Sequence, residues 1–222
     1  GFKTDGVWVS QEQITASNLK SSLSGMLVPG GLKIVDMNRD GVLDNNDRTD
    51  LGNPYPDFNW GITNNFKYKN IDFSFLVQGV QGGKVINGDP NYNESRRTIK
   101  IYNQNRWVSA ANPGDGKTPF STNGYNWMLT DYVIENGSYF ALREVNLGYT
   151  LPTSSIKKLK ITSMRFYLSA QNLYFHTAKG YRSLNPEGRF SNGPYSSVLI
   201  DGYQRGAFPI PQTITAGIDI NF

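Results

Sequence analysis

The sequence predicts an all-β protein whose antiparallel strands cross a membrane as part of a barrel, and two observations support this prediction. The final segment, 212–222, alternates strictly between apolar and polar side chains, which is typical of a strand with one apolar face. Its length matches the roughly 9–11 residues that a tilted strand needs to cross a bilayer. In addition, long and short connections between the predicted strands alternate along the whole chain.

The composition narrows the class of protein further. Only 38% of the 222 residues are hydrophobic, and no apolar run reaches the roughly 18 residues that a membrane-spanning helix requires. Cysteine is absent, which excludes disulfides and thiolate metal sites. The formal charge of +4 comes from scattered Lys and Arg residues, so we expect no nucleic-acid partner. The start of the chain lacks a secretory signal, and we expect a processed protein or a piece of a longer one.

The first part of the chain contains the clearest hairpin. A short strand is predicted at Phe2–Ser10, and a helical turn or two within Gln11–Ser22. The strands predicted at Asp57–Lys67 and Ile71–Gln81 both alternate between apolar and polar residues. Only three residues separate them, which predicts a tight turn.

The rest of the chain alternates strands with long polar loops. The segment 82–136 is rich in Gly, Pro and Asn and holds one helical candidate, Glu94–Trp107. Strands are predicted at Ser138–Thr150 and Thr162–Phe175, with a short turn between them. A second long loop, Tyr181–Pro211, precedes the final strand. The chain is therefore predicted to contain five or six strands.

The strand predicted at Ser138–Thr150 does not keep one alternation of apolar and polar residues along its whole length. Phe140 and Leu142 are apolar at even positions, whereas Val145 and Leu147 are apolar at odd positions. A one-residue β-bulge near Arg143–Glu144 would let both halves turn their apolar residues to the same side.

The connection lengths predict an orientation. Outer-membrane barrels have short periplasmic turns and long extracellular loops. All five connections of the predicted strands obey this alternation. We therefore expect the long loops outside the cell and the carboxy-terminus on the periplasmic side.

Five runs of residues, in this order, resemble the carboxy-terminal part of the SusC/RagA-type TonB-linked (TonB-dependent) outer-membrane receptors. They are DMNRDGVLDNNDRTDLGNPYPDFNWG, FKYKNIDFSFLVQGVQGG, NGSYFALREVNLGYTLP, RFYLSAQNLYF and PIPQTITAGIDINF. The sequence departs from the family pattern at Ala141, where the family usually has a basic residue.

The resemblance implies a large transmembrane barrel of about 22 strands, of which this chain holds the last five or six. Residues 1–222 would form one carboxy-terminal segment of that barrel, while the plug domain and the earlier strands are not in this chain. Further partners implied are a SusD-like surface lipoprotein that acts as a lid, TonB as the source of energy, and the lipid of the Gram-negative outer membrane.

The function implied is import of nutrients, either oligosaccharides (glycans) or peptides, without any bond being made or broken. We therefore expect no enzymatic activity and no catalytic residue, and the substrate-binding residues remain unidentified. The alternative from another class is a secreted, calcium-dependent carbohydrate-binding β-sandwich module. A sandwich would bury the apolar strand faces, whereas a barrel turns them toward lipid.

A metal site is predicted in the polar stretch before the hairpin. Calcium prefers six to eight oxygen ligands, and a known loop type supplies them from positions 1, 3, 5, 7, 9 and 12, with Gly at position 6. Counted from Asp36, these positions are Asp36, Asn38, Asp40, the Val42 carbonyl, Asp44 and Asp47. We expect a structural Ca²⁺ in this extracellular loop. A network of Asx turns without a metal is the alternative.

Other candidate constellations are weaker. His176 is the only histidine, and its place among aromatic residues indicates packing. Glu187 and Asp201 could be proposed as a glycosidase pair, but two carboxylates in long loops commonly arise by chance. Aromatic residues near the strand ends predict membrane-interface girdles, with core packing as the alternative. They are Trp60, Tyr68, Tyr149, Tyr174 and Phe222.

Overall fold

The structure is a computed structural model that describes residues 1–88, 104–120, 130–157, 161–188, 202–204 and 207–222. Strands dominate it. In chain order the elements are β1 (Thr4–Val7), α1 (Gln11–Ser17), β2 (Lys20–Ser21), β3 (Leu32–Ile34), β4 (Val42–Leu43), β5 (Pro56–Tyr68), β6 (Ile71–Gly82), β7 (Lys84–Asn87), β8 (Ile134–Asn136), β9 (Tyr139–Thr150), α2 (Thr153–Ile156), β10 (Ser163–Thr177), β11 (Tyr203–Gln204) and β12 (Thr213–Asn221). Short 3-10 turns lie at Asn45–Asp47 and Asp131–Val133.

Five long strands form one antiparallel sheet in the order β5-β6-β9-β10-β12, which we call the wall sheet. Each strand pairs with the wall strand that precedes it in sequence, so the sheet is a simple meander. Short connections join β5 to β6 and β9 to β10 at one end, the turn end. The long connections leave from the opposite end, the loop end. The five strands predicted in this region are confirmed to within a few residues.

The wall sheet has one apolar face and one polar face. Ile62 pairs with Val77 and Phe66 pairs with Phe73 on the apolar face, whereas Thr63 and its neighbours at odd positions lie on the other. Much of the apolar face is exposed. Its exposed large residues are Phe58, Ile62, Phe66, Tyr68, Ile71, Phe140, Leu147, Tyr149, Phe166, Leu168, Tyr174, Ile214, Ile218 and Ile220.

The predicted bulge is confirmed. Leu76 pairs with Glu144, but Val77 pairs with Leu142, so Arg143 is an extra residue in β9. The neighbouring strand β10 bulges at the same level, where Asn172 has a φ of 54°. These bulges keep the apolar residues of both halves on one face, as the sequence requires.

The amino-terminal strand is not a sixth wall strand. β1 has only four residues, which is too short to cross a bilayer, and it pairs with β3 in a separate two-stranded sheet. Its Val7 packs with Leu32 and Val133 in a buried cluster. A second cluster contains Phe2, Met26, Ile34 and Leu43. The buried apolar clusters of the described residues thus lie outside the wall sheet.

The long loops contain structure of their own. The loop after β6 holds β7 and β8, the loop after β10 holds β11, and these three strands form a small sheet at the loop end. The helical candidate Glu94–Trp107 falls mostly outside the described residues, and its described end, 104–107, is not helical. The turn between β9 and β10 contains the short helix α2. No helix in the described parts of the chain is long and apolar enough to span a membrane.

Candidate functional site

Aromatic residues mark both ends of the apolar face. At the turn end Tyr149 pairs with Ile71, and at the loop end Phe140 pairs with Gly79. His176 packs against Phe140 with ring centroids 5.1 Å apart, as its predicted packing role requires. From Ile71 to Gly79 the strand advances eight residues, roughly 26 Å at about 3.3 Å per residue. With a strand tilt of about 40°, the apolar band is roughly 20 Å tall, close to the band of membrane barrels.

An ion-pair cluster crosses the polar face near the turn end. Arg165 of β10 donates from Nε and Nη2 to both carboxylate oxygens of Asp72 in β6, at 3.2 and 2.6 Å. Its Nη1 lies 3.6 Å from Asp219 of β12. The Arg165–Asp72 ion pair passes over Gly148 of β9. Any side chain at that position would collide with the Arg165 and Asp72 groups. The cluster therefore links three wall strands, β6, β10 and β12, across the glycine of β9 that lies between two of them.

A buried polar cluster, which the sequence did not reveal, organises the loop end. Glu135 of β8 is only 5% exposed. It accepts hydrogen bonds from the Asn87 amide at 2.7 Å and from Arg182 Nε at 2.7 Å. Arg182 also donates to the Tyr132 carbonyl at 2.6 Å. The partners are 47 to 50 residues apart in sequence, so no local motif could have identified them.

The predicted metal ligands lie in the segment 36–47, which we call the acidic loop. Asp36 accepts backbone hydrogen bonds from Arg39 at 2.7 Å and from Gly41 at 2.9 Å. Arg39 and Gly41 have φ values of 61° and 83°. Gly41 therefore supplies the sharp turn that position 6 of a calcium loop needs.

The next carboxylates are also satisfied within the loop. Asp40 accepts from the Val42 backbone N–H at 2.8 Å and from the Asn38 side-chain amide at 2.9 Å. Asp44 accepts from the Asn46 backbone N–H at 2.7 Å. The two backbone contacts, to Asp40 and to Asp44, are Asx-type, and one hydrogen bond to an oxygen leaves it a further lone pair.

Asp47 has a different environment from the other acidic side chains. It is fully buried, and its two oxygens accept backbone hydrogen bonds from Met37 at 2.8 Å and Asp44 at 2.9 Å. Asp47 therefore stabilises the loop through hydrogen bonds to its backbone. Among the residues that the structure describes, no three His, Cys, Asp or Glu side chains lie close enough together to hold a metal ion.

A cavity of about 460 Å³ opens in the described loop 104–120. It is lined by Asn105, Arg106, Val108, Asn112, Gly114 and Asp115. Burial opposes ionisation of Asp115, but hydrogen bonds from Thr118 and Lys117 outweigh it and lower the pKa of this carboxyl. The Asp115 carboxylate therefore stabilises its own turn through these hydrogen bonds.

The carboxylate pair considered for glycoside hydrolysis is not assembled by the described structure. Glu187 accepts a hydrogen bond from the Tyr139 hydroxyl at 2.8 Å and forms an ion pair with Arg143. Asp201 lies outside the described residues. Glu187 therefore serves to connect a loop to the wall sheet.

Comparison with known proteins identifies the family. No protein-family model matches the chain. The TonB-dependent receptor P26 of Formosa agariphila is 33% identical over 225 residues, covering 100% of this chain and 22% of the relative. The TonB-dependent receptor SusC of Bacteroides thetaiotaomicron is 23% identical over 189 residues, covering 85% of this chain and 17% of the relative. The chain belongs to the SusC/RagA-type TonB-dependent receptors.

A second Formosa agariphila relative, TonB-dependent receptor P3, is 30% identical over 211 residues and covers 91% of this chain and 20% of the relative. The chain thus spans about a fifth of the length of these receptors. These relatives are receptors, which confirms the prediction that this receptor segment is not an enzyme.

Solved structures confirm the fold. The RagAB peptide importer in its open-open state resembles this chain with a TM-score of 0.64 and 18% identity. The match covers 100% of this chain and 22% of the RagAB chain. Its closed-closed state matches with the same values. The wall sheet of this receptor segment is therefore part of the wall of a large β-barrel.

Proposed function

We propose that this chain forms the carboxy-terminal part of the barrel wall of an outer-membrane transporter that imports nutrients with energy supplied through TonB. The observation that supports the proposal best is the wall sheet with its exposed apolar face. Ile214, for example, is 69% exposed although it lies in a regular strand. Exposing such a side chain to water costs about 1.5–3 kcal/mol relative to burial, so lipid is the fitting surrounding.

The two faces then have different roles. The apolar face contacts lipid, and the polar face, with Arg165 and Asp72, lines the lumen. The turn end faces the periplasm and the loop end faces the outside of the cell, in keeping with the loop lengths of membrane barrels. A secreted sandwich module remains the alternative, but it would have to bury the apolar face under a second sheet.

The wider assembly is also part of the proposal. The plug domain and the remaining strands come from the rest of the receptor, and a SusD-like lipoprotein covers the loop end. The substrate is an oligosaccharide or a peptide. RagAB is a peptide importer, which supports the peptide class, whereas the oligosaccharide class rests on the sequence resemblance alone. The wall and its loops hold and admit the substrate, and no bond changes.

Thiol labelling in intact cells tests the orientation of the full-length receptor. Val108→Cys, at an exposed loop position, should react with a membrane-impermeant maleimide added from outside. Thr153→Cys, at the exposed start of α2, should react only after the cells are lysed, because the turn end faces the periplasm. Both sites are solvent-accessible, so the contrast reports position relative to the membrane.

Equal labelling of both thiols in intact cells would rule out the proposed orientation. The import function is tested in the same strain with a peptide digest or an oligosaccharide mixture as the sole carbon source. Removal of the receptor and removal of TonB should each abolish growth on the same one of these two sources. Unchanged growth on both would rule out import of these classes.

We also propose that the acidic loop binds a structural calcium ion through Asp36, Asn38, Asp40, Val42, Asp44 and Asp47. The spacing of the oxygen ligands and the turn at Gly41 support this assignment. Four carboxylates in twelve residues repel one another, and a divalent cation relieves that repulsion. Binding requires a rearrangement that draws three or more of these oxygens together, and Asp47 would have to share its backbone contacts with the ion.

The double variant Asp36→Asn and Asp40→Asn tests this proposal, because asparagine keeps a hydrogen-bond acceptor at both turns but removes two charges. Isothermal titration of the full-length receptor should show calcium binding at roughly millimolar affinity or better, as in extracellular modules, and the variant should lose it. Calcium should also slow proteolysis between Lys33 and Arg48 in the wild type only. Wild-type receptor that binds no calcium in this titration would contradict the assignment.

A further inference from the structure

The chain that follows β10 turns onto the polar face of the wall sheet at the loop end. The Ala178 backbone N–H donates to the Ser138 carbonyl at 2.9 Å, so this segment begins beside the upper end of β9. We call residues 178–188 the pinned segment, because side chains hold it from two sides. One set of contacts comes from the small loop-end sheet and the other from the wall.

The loop-end sheet holds the pinned segment through Arg182. Its guanidinium and its backbone N–H both donate to the carboxylate of Glu135, at 2.7 and 3.0 Å. The guanidinium also lies 4.7 Å from the ring centroid of Tyr132. Because Glu135 is almost fully buried, this ion pair is shielded from water and holds one geometry.

A second contact from the same sheet involves β11. Gln204 is fully buried, accepts a hydrogen bond from the Tyr181 hydroxyl at 2.7 Å, and donates to the Asn185 carbonyl. Asn185 in turn accepts from the Glu187 backbone N–H at 2.8 Å. These bonds fix the direction in which the Glu187 side chain leaves the backbone.

The wall holds the other side through Arg143, the extra residue of the β9 bulge. Arg143 forms an ion pair with Glu187, and the same carboxylate oxygen accepts from the Tyr139 hydroxyl at 2.8 Å. The guanidinium stacks on Phe175 at 4.9 Å and donates to Asn172 at 3.1 Å. The bulges in β9 and β10 thus place both partners of Glu187 on the polar face.

This contact lies inside the wall, below its upper rim. Arg143 is four residues below the first residue of β9, roughly 13 Å along the strand. Ala141, between this level and the rim, is completely buried on the same face. A segment held both here and at the loop-end sheet cannot swing outward while both contacts persist.

We infer that the pinned segment is a fixed constriction at the extracellular end of the lumen, and that the Arg143–Glu187 pair determines the width of the opening by holding the segment against the wall. This inference rests on the proposed function in taking the polar face as the lumen and the loop end as extracellular. The constriction selects solutes by size, because they must pass through an opening that this segment narrows.

A buried thiol probe in the full-length receptor measures whether the pair holds the segment. The Ser183 hydroxyl is buried and has no hydrogen-bond partner within the described part of the chain, so Ser183→Cys loses no bond there. This chain has no cysteine, and any elsewhere in the receptor are replaced by serine. Adding Glu187→Gln or Arg143→Met should speed maleimide labelling of this thiol at least about tenfold.

The polar face offers a matched control. Arg165→Met removes an arginine–carboxylate pair of the same kind from the same face near the turn end, and it should leave the labelling rate at position 183 unchanged. Leu184→Cys, at a residue that is 68% exposed, should label quickly in every background. Equal rates at position 183 with and without the Arg143–Glu187 pair would overturn the inference. So would equal acceleration by Arg165→Met.

The width of the opening is measured with a thiol deeper in the lumen. Thr215 lies on the polar face level with Ser169 and Asn146, on the turn side of Arg143. In intact cells Thr215→Cys should react with a small maleimide but not with a maleimide carrying a 5-kDa polyethylene glycol. Glu187→Gln should admit the large reagent as well.

The outcomes separate this inference from the proposed function. An unchanged size limit in Glu187→Gln would overturn the constriction while leaving the transporter assignment intact. If the small maleimide reaches Ile214→Cys on the apolar face as readily as Thr215→Cys, the lumen has been assigned to the wrong face and the proposed function fails.

Discussion

Residues 1–222 produced alone should not form a cooperative, monomeric barrel in detergent. The wall sheet contains five strands, and its outer strands β5 and β12 each pair on one side only in the described structure. The smallest membrane barrels close with eight strands. An open edge in lipid leaves backbone N–H and C=O groups without partners, at a cost of several kcal/mol for each.

The measurement is a comparison of this segment with the full-length receptor after refolding in the same detergent. The full-length receptor should resist protease and should migrate faster on a gel before heating than after it, as closed barrels do. The segment should be digested and show no such shift. A compact, protease-resistant monomer of the segment would mean that the sheet closes without further strands.

The wall strands could be predicted from the sequence because their alternation is strict and their faces have different surroundings. The register of β9 is the strongest case. Apolar residues change from even to odd positions around Arg143. In a sheet with one apolar face, a one-residue bulge is the simplest structure that keeps them on that face, and the structure contains this bulge. Ile214 and its neighbours in β12 were equally clear, since every second residue is apolar.

The amino-terminal strand shows where this reasoning fails. A short strand is predicted at Phe2–Ser10, and Thr4–Val7 is one, but it belongs to a small sheet with β3 and not to the wall. The apolar residues of a predicted strand indicate that they are covered but do not indicate whether protein or lipid covers them. Phe2 and Val7 are buried by protein, whereas Ile214 and Ile218 are exposed on the wall.

The contacts of the loops could not be predicted for a different reason. Glu135 and Arg182 are 47 residues apart, and Arg143 and Glu187 are 44 apart, so each pairing depends on where the loops fold back. Charged residues in long polar loops carry no periodic signal. The acidic loop is local, and there the sequence indicated the turn at Gly41, while the backbone contacts of Asp47 appeared only in the structure.

Ile214→Arg should impair assembly of the full-length receptor, whereas Thr215→Arg should be far milder. Ile214 lies on the apolar face of β12, where it pairs with Ala170. A basic side chain on the lipid face costs up to about 2–4 kcal/mol, and a basic side chain on the lumen face does not carry this cost. Heat-resistant folded receptor in the outer-membrane fraction is the quantity to measure.

The adjacent residue makes the control strict, because Thr215 lies in the same strand and differs mainly in the face it occupies. Ile218→Arg, on the same face near the centre of β12, should impair assembly as well. Losses from Ile214→Arg and Ile218→Arg that both exceed the loss from Thr215→Arg report which face contacts lipid. Equal losses from Ile214→Arg and Thr215→Arg would show that the apolar face does not contact lipid.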